Sequence, residues 1–472
     1  MARADRMAVI SDAAAYFVAV REAVLQARHS VIMLGWDFDT RIDMCPTGTG
    51  EDAPSELGEF LKHAVKINKD LAIYILRWDL AILKMPFRGR MPLMLLDWIT
   101  SKRLHFRLDG LHPAGACHHH KIVVVDESVA FCGGIDLTSD RWDTSEHRDE
   151  HPQRVRPSGS PYPPWHDATT VLDGEAAQSL GELARRRWAL VTGELIPPAS
   201  RLGPAPWPQS VVPDFDRVNV GIARTDPGTG QHDPVREIET LYLRAIASAK
   251  HSIYIETQYF ACSRIADAIG EALEREDGPE VVLINPKKAQ GWLEEAAMGS
   301  ARAILLRQLA HRDKWRRFRC FWPATVGGNP IYVHAKILVI DETLLRVGSS
   351  NINNRSMGID TECDIAIEAS TQEERRHIQH VRDRFLAEHL GVEAAEVGAA
   401  MNSGVGILKV IESLANTDGR RLIPLDPGEV SEAEIELYES KLLDPETPEQ
   451  MSKAFKRGRW PLPALFKKLT DF

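Results

Sequence analysis

Two short runs of this chain set an imidazole and an ammonium group two residues apart, His119-His120-Lys121 and His334-Ala335-Lys336. Each opens an apolar stretch that reads as a strand, KIVVVD in one case and KILVID in the other. Residues two apart on a strand face the same side, so the His and Lys of each run project together while His120 and Ala335 face away. Each run thus offers a nitrogen able to attack or to carry a proton, beside a fixed positive charge. One such run alone is usually just a polar strand face. Duplication changes the reading: His119 and His334, Lys121 and Lys336, Asp126 and Asp341, Gly133 and Gly348, and Asp136 and Asn351 all stand 215 residues apart.

The elements that must position these residues repeat as well. ARHSVIMLGWDF (from Ala27) returns as AKHSIYIETQYF (from Ala249), each after a helix-period stretch, SDAAAYFVAVREAVLQ and PVREIETLYLRAIAS. Strand-like runs (LAIYIL, KIVVVD; VVLIN, KILVID) alternate with amphipathic stretches such as PLMLLDWITSK and AMGSARAILLRQLAH. That alternation predicts an α/β protein of two similar lobes, each an α/β/α sandwich with a mixed sheet. Six prolines (Pro197, Pro198, Pro204, Pro206, Pro208 and Pro213) favour an extended connector between the lobes. The expected division is an N-terminal lobe over 1–195, a linker over 196–217, a C-terminal lobe over 218–395 and an accessory tail over 396–472. Asp140 to Pro164, rich in charge, Pro and Gly, reads as a long surface loop of the kind that borders a site.

Composition bounds the partners. The chain has 472 residues, 44% of them apolar, enough for a sizeable core. A formal charge of -10 gives no general grip on nucleic-acid phosphates. Six scattered cysteines without a CxxC pair suit buried reduced thiols, and the cytosol is the default compartment. The N-terminus, with Asp12 inside its apolar stretch, does not read as a signal peptide, and no uncharged apolar run approaches a membrane span. The end, MSKAFKRGRWPLPALFKKLTDF, mixes six Lys/Arg with Phe, Trp and Leu, a composition suited to an anionic bilayer or to a solvated basic end. The triple His118-His119-His120 is not expected to hold a metal, since only alternate residues share a face and no carboxylate or cysteine is spaced to complete the shell.

The pattern H-x-K-x4-D-x6-G-[GS]-x-[ND], present twice, resembles the duplicated HKD signature of the phospholipase D superfamily. GGIDLTSDRWD (from Gly133), PWHD (from Pro164), IYIETQYF (from Ile253) and GSSNINNRS (from Gly348) resemble the phospholipases D proper more than cardiolipin synthases or the small nucleases. The resemblance implies one active site between the lobes. It implies His119 as the nucleophile that forms a phosphohistidine, and His334 as the acid that protonates the leaving alcohol and then activates the acceptor. It implies further that Lys121 and Lys336 hold the nonbridging phosphate oxygens, with Asn351, Ser349, Asp136 and Gly134 as further phosphate or substrate contacts. Asp136 is an anion in that list, and Arg141 is its expected neutraliser. Asp126 and Asp341 complete the catalytic signature, although their place at a likely turn suggests a hold on the strand end. Asp167 and Glu362, on the strand after each motif, are the expected orienters of the histidines.

The implied activity is hydrolysis of glycerophospholipids to phosphatidic acid at a membrane surface, with head-group exchange when alcohol is present, and with no cofactor, metal or nucleic acid. The expected location is cytoplasmic and peripheral to the membrane. Three rivals remain at this stage: a cardiolipin or phospholipid synthase, a nuclease, and an inactive scaffold, which two intact motifs disfavour.

Overall fold

The computed structural model describes residues 1–46, 48, 53–79, 98, 101–113, 115–199, 203–228, 233–291, 294–428, 431–439, 441, 444–447 and 449–450. The expected helix PLMLLDWITSK lies, but for Trp98 and the last two residues, outside them, as does the basic end from 451. The first repeat runs β1 (Ala2–Ser11), α1 (Ala13–Leu25), β2 (Ser30–Gly35), α2 (Leu57–Ile67), β3 (Ala72–Trp78), β4 (Leu104–Asp109), β5 (Ile122–Val125), β6 (Val129–Gly133), β7 (Trp165–His166), β8 (Ala168–Asp173) and α3 (Gly174–Thr192). The second runs β9 (Phe215–Asp226), β10 (Val235–Arg236), α4 (Glu237–Ser248), β11 (Ser252–Glu256), α5 (Ser263–Glu274), β12 (Glu280–Ile284), a π-helical turn (Glu295–Gly299), α6 (Ser300–Arg312), β13 (Phe318–Ala324), β14 (Tyr332–Val333), β15 (Ile337–Ile340), β16 (Leu344–Gly348), α7 (Asn354–Gly358), β17 (Glu362–Glu368) and α8 (Gln372–Leu390). The chain continues through α9 (Ala394–Asn402), α10 (Ile407–Leu414), β18 (Arg421–Pro424) and α11 (Glu432–Glu439).

Each repeat builds the same strand order, β1-β8-β6-β5-β2-β3-β4 in the first and β9-β17-β16-β15-β11-β12-β13 in the second. The central strands β2 and β11 are short apolar runs, almost wholly buried, with a parallel neighbour on one side and an antiparallel one on the other. The mixed sheets were expected. Their union was not: β1 and β9 pair antiparallel, Ala2 opposite Val220 through Met7 opposite Phe215, and fuse both sheets into one of 16 strands.

The layers follow the same logic. α3 and α8 lie on one face over a single apolar core that runs through both repeats, from Met7 and Leu180 to Val347 and Phe385. The other face carries two separate cores, one under α1 and α2 and one under α4, α5 and α6. The mixed α/β sandwich is therefore shared on one face and divided on the other.

Two local expectations need correction. The proline-rich connector packs down instead of standing extended: Trp207 is buried beneath the Arg6 guanidinium, 4.6 Å from its ring, and β9 already begins at Phe215. Asp140 to Pro164 is no simple surface loop, because Asp143, His147 and Arg154 are buried within it, and Arg154 ties Asp143 to the carbonyls of Arg148, Asp149 and Tyr162. The tail adds an edge strand, β18, antiparallel to β13. All six cysteines are buried and unpaired. No helix among the described residues is long and apolar enough to cross a membrane.

Candidate active site

His119 and His334 sit just before β5 and β15, where the chain leaves its own sheet and touches the other repeat. His119 N–H donates to the Thr361 carbonyl at 3.0 Å, and His334 N–H to the His166 carbonyl at 2.8 Å. The next residue after each carbonyl supplies the carboxylate. Glu362 Oε2 lies 2.9 Å from His119 Nδ1, and Asp167 Oδ2 lies 2.6 Å from His334 Nδ1. The two carboxylates named from the sequence thus each lie against the histidine of the opposite repeat. With Nδ1 engaged on both rings, Nε2 is the nitrogen each offers to chemistry.

The two carboxylates are held differently. Glu362 accepts from Ser349 Oγ at 2.5 Å and Ser356 Oγ at 2.7 Å. Asp167 has a glycine at the position that matches Ser349: a Cβ on Gly134 would stand 2.2 Å from Asp167 Oδ1. Ser349 and Gly134 thus face the two carboxylates, where the resemblance implied phosphate contacts. One spends its hydroxyl on the orienter and the other leaves room for it.

The remaining expectations sort the same way. Lys121 Nζ pairs with Asp136 Oδ2 at 3.1 Å, and Asp136 Oδ1 takes the Trp36 N–H at 3.0 Å. Asp136 is thus neutralised by the lysine of its own motif, and Arg141 instead stacks its guanidinium 4.4 Å over the Trp165 ring. Lys336 Nζ reaches Gln258 Oε1 at 3.4 Å and donates to the His334 carbonyl. Asn351 Nδ2 meets the same Gln258 oxygen at 3.4 Å, and its own Oδ1 is buried without a partner. Asp126 and Asp341 are not at the reacting centre. Asp126 caps the start of β2, accepting from the Arg28, His29 and Ser30 amides, and Asp341 does the same for Lys250, His251 and Ser252 before β11. Both stand at φ 52, turning the chain after β5 and β15.

His119, His334, Asp136, Asn351 and Glu362 line one cavity of about 720 Å³ between the repeats. Its walls include Trp36, stacked on Trp78, and Trp165, stacked on Tyr332, with Glu294 holding the Tyr259 hydroxyl at 2.8 Å. Gln258 and Ser356 have roles the sequence reading missed. The signal for Gln258 was present: at the end of β11 the apolar run gives way to three polar residues, Glu256-Thr257-Gln258.

Electrostatics prepares the site for an anion. Burial, then the Lys121 and Lys336 charges, push the His119 imidazole well below its usual range. Burial, Lys336 and Arg141 do the same to His334. Burial also lowers Lys336 to about 7, against the pull of Asp167. Glu362 is driven well up by burial, while the Ser349 and Ser356 hydroxyls and Lys121 favour its ionised form. Two imidazoles whose charged form is disfavoured and the amides of Gln258, Asn351 and Asn353 line the cavity, with Lys121 and Lys336 buried behind them.

The fold and site together define a duplicated α/β protein with a paired His-Lys centre at the seam. A family model described as "Cardiolipin synthase, PLD-like domain" matches residues 242–388. The chain is 23% identical to phospholipase D A of Dictyostelium discoideum, over 80% of this chain and 35% of that protein, and 26% identical to phospholipase D alpha 2 of Oryza sativa subsp. japonica, over 74% and 59%. It spans about a third to three fifths of the length of these two relatives. Among solved structures, phosphatidylserine synthase of Haemophilus influenzae shares the fold, with a TM-score of 0.56, 13% identity, and coverage of 82% of this chain and 87% of that one. Residues 242–388 thus match a phospholipase D-like domain, and most of the chain is similar at about a quarter identity to proteins named phospholipase D.

Proposed function

We propose that the protein is a phosphodiesterase of phospholipase D type, which hydrolyses glycerophospholipids to phosphatidic acid through a phosphohistidine. The observation that carries this reading is the reciprocal pairing of His119 with Glu362 and of His334 with Asp167. A phosphodiester is anionic and its alkoxide leaving group is poor, so a site that cleaves it supplies a nucleophile, an acid and positive charge. His119 Nε2 attacks phosphorus. As the P–O bond to the head group breaks, His334 Nε2 gives that oxygen its proton. His334 then takes a proton from water, whose oxygen displaces His119 from phosphorus and releases phosphatidic acid. Lys121, Lys336 and Asn351 hold the nonbridging oxygens. The arriving phosphate offsets the cations that depress His334, so substrate binding itself favours the protonated acid.

A second reading has specific support. The family model matched over 242–388 is described by a synthase, and the phosphatidyl-enzyme can pass its group to any hydroxyl that enters the cavity. In this transferase reading the acceptor is a lipid or head-group alcohol and water is excluded.

The test incubates wild type, His119→Ala and His334→Ala with phosphatidylcholine or phosphatidylethanolamine vesicles, EDTA and a little primary alcohol, followed by lipid mass spectrometry. Phosphatidic acid and phosphatidyl-alcohol from wild type, each lowered at least about 1,000-fold in both variants, is the expected outcome. Exchange products without phosphatidic acid select the transferase. Cleavage of single-stranded DNA with no lipid product refutes both.

A further inference from the structure

Outside the catalytic cavity, four fully or almost fully buried side chains converge: Asp12 after β1, His147 in the Asp140 to Pro164 segment, His166 on β7 and Glu388 on α8. One donor atom of each lies within 4.8 Å of the other three. His147 Nε2 is 3.0 Å from Glu388 Oε1 and 3.7 Å from Asp12 Oδ2. His166 Nδ1 is 2.7 Å from Glu388 Oε1 and 3.3 Å from Asp12 Oδ1. Nitrogen and oxygen ligands at about 2.0–2.1 Å from a tetrahedral ion are about 3.3 Å apart, and the four contacts, which reach Asp12 through both of its oxygens, run from 2.7 to 3.7 Å around that value.

The surroundings are those of ligands. Each histidine spends its other ring nitrogen on a further carboxylate, His147 Nδ1 on Asp143 Oδ2 at 3.1 Å and His166 Nε2 on Glu256 Oε2 at 2.7 Å. Such outer carboxylates fix the tautomer and turn the opposite lone pair toward a metal. His166 Nδ1, wholly buried, stands at ion-pair distance from both acids yet is aligned for a hydrogen bond with neither. Asp12 occupies the N-cap position of α1, where an aspartate ordinarily accepts from the first turn, but its carboxylate makes no capping bond and turns into the cluster.

We propose that Asp12, His147, His166 and Glu388 bind a divalent cation, zinc by their two-nitrogen, two-oxygen donor set, in a closed structural site. The ion would tie α8 of the second repeat to three segments of the first. It would also brace the acid histidine, because Asp12 Oδ1 accepts the Asp167 N–H at 3.1 Å and Asp167 holds His334. It shares no residue with the His118 to His120 run and takes no part in the phosphoryl chemistry.

The test uses the whole chain, purified without chelator or metal-affinity resin. Metal analysis is expected to give about one zinc per chain. Protein stripped under mild denaturant and refolded with zinc is expected to melt higher than protein refolded without it, and cobalt in its place to show the visible absorption of a tetrahedral ion. His147→Gln and Glu388→Gln each lose bound metal, whereas Glu412→Gln on the exposed face of α10 keeps it. Two outcomes overturn the proposal: wild type with no bound metal and an unchanged melting temperature on adding zinc or cobalt, or both ligand variants retaining the ion. The first would leave a network of protonated histidines. Both readouts are independent of lipid turnover, so failure of the proposed activity leaves this result standing.

Discussion

His119 and His334 come from the same motif but receive different support, and the difference is a matter of single atoms. Glu362 is gripped by two hydroxyls, while Asp167 is admitted only because residue 134 has no side chain. Gly134→Ala is therefore expected to displace the Asp167 carboxylate and lower kcat by about 100-fold, the scale of a misplacement near 1 Å, with KM nearly unchanged. Steady-state kinetics beside a circular dichroism melt checks it; an unaltered kcat would mean that Asp167 does not orient the acid. Lys336 gives a second prediction. Its amine is depressed to about 7 chiefly by burial, and only its protonated form grips phosphate. In the free enzyme kcat/KM should thus be full below about 7 and fall as pH rises through it. Bound phosphate pulls that amine back up, so the matching fall in kcat should come at higher pH. A profile of kcat/KM flat from pH 6 to 9 contradicts the role given to Lys336.

At the scale of elements, the aspartates of the motif act on strand ends. Asp126 gathers three backbone N–H groups at 2.7, 2.8 and 2.9 Å and fixes where β2 starts relative to β5. Asp126→Ala is expected to cost about 3 kcal/mol, since three backbone donors, one buried and two partly buried, lose a charged acceptor, with activity per folded molecule unchanged. Urea unfolding alongside an assay well below the transition separates the two; a dead but fully stable variant would return Asp126 to the catalytic set. The repeat made these positions legible, because a fixed offset of 215 picks out matched residues whatever their role. It could not say that Asp126 turns to the amides before β2 while Lys121 pairs with Asp136, nor that Ser349 bonds Glu362. Orienters were legible as residue types on the right strands. Their crossing between repeats was not, because it depends on how two sheets meet, and no spacing within one repeat encodes that. β1 escaped for a related reason: MARADRMAVIS mixes charge into a short apolar run and shows its strand character only beside β8 and β9.

At the scale of the molecule, the seam holds the candidate site. β1 and β9 join the sheets edge to edge, α3 and α8 share one core, and each histidine is completed by the other repeat. Neither half on its own holds a histidine with its carboxylate. Each would also expose an unpaired strand edge and an uncovered part of the common core, features that favour aggregation. The connector, in contrast, has no helix or strand among its described residues between Thr192 and Phe215. A protease site inserted near residue 201 and cut in the folded protein should therefore leave the halves associated on gel filtration and the activity close to that of the intact chain. Residues 1–201 and 202–472 expressed separately should be inactive and poorly soluble, and co-expression should restore turnover. A cut protein that falls apart would show that the covalent connection, and not the shared sheet and core, holds the two repeats together. An N-terminal half that turned over substrate by itself would remove the reason for pairing the histidines across the seam.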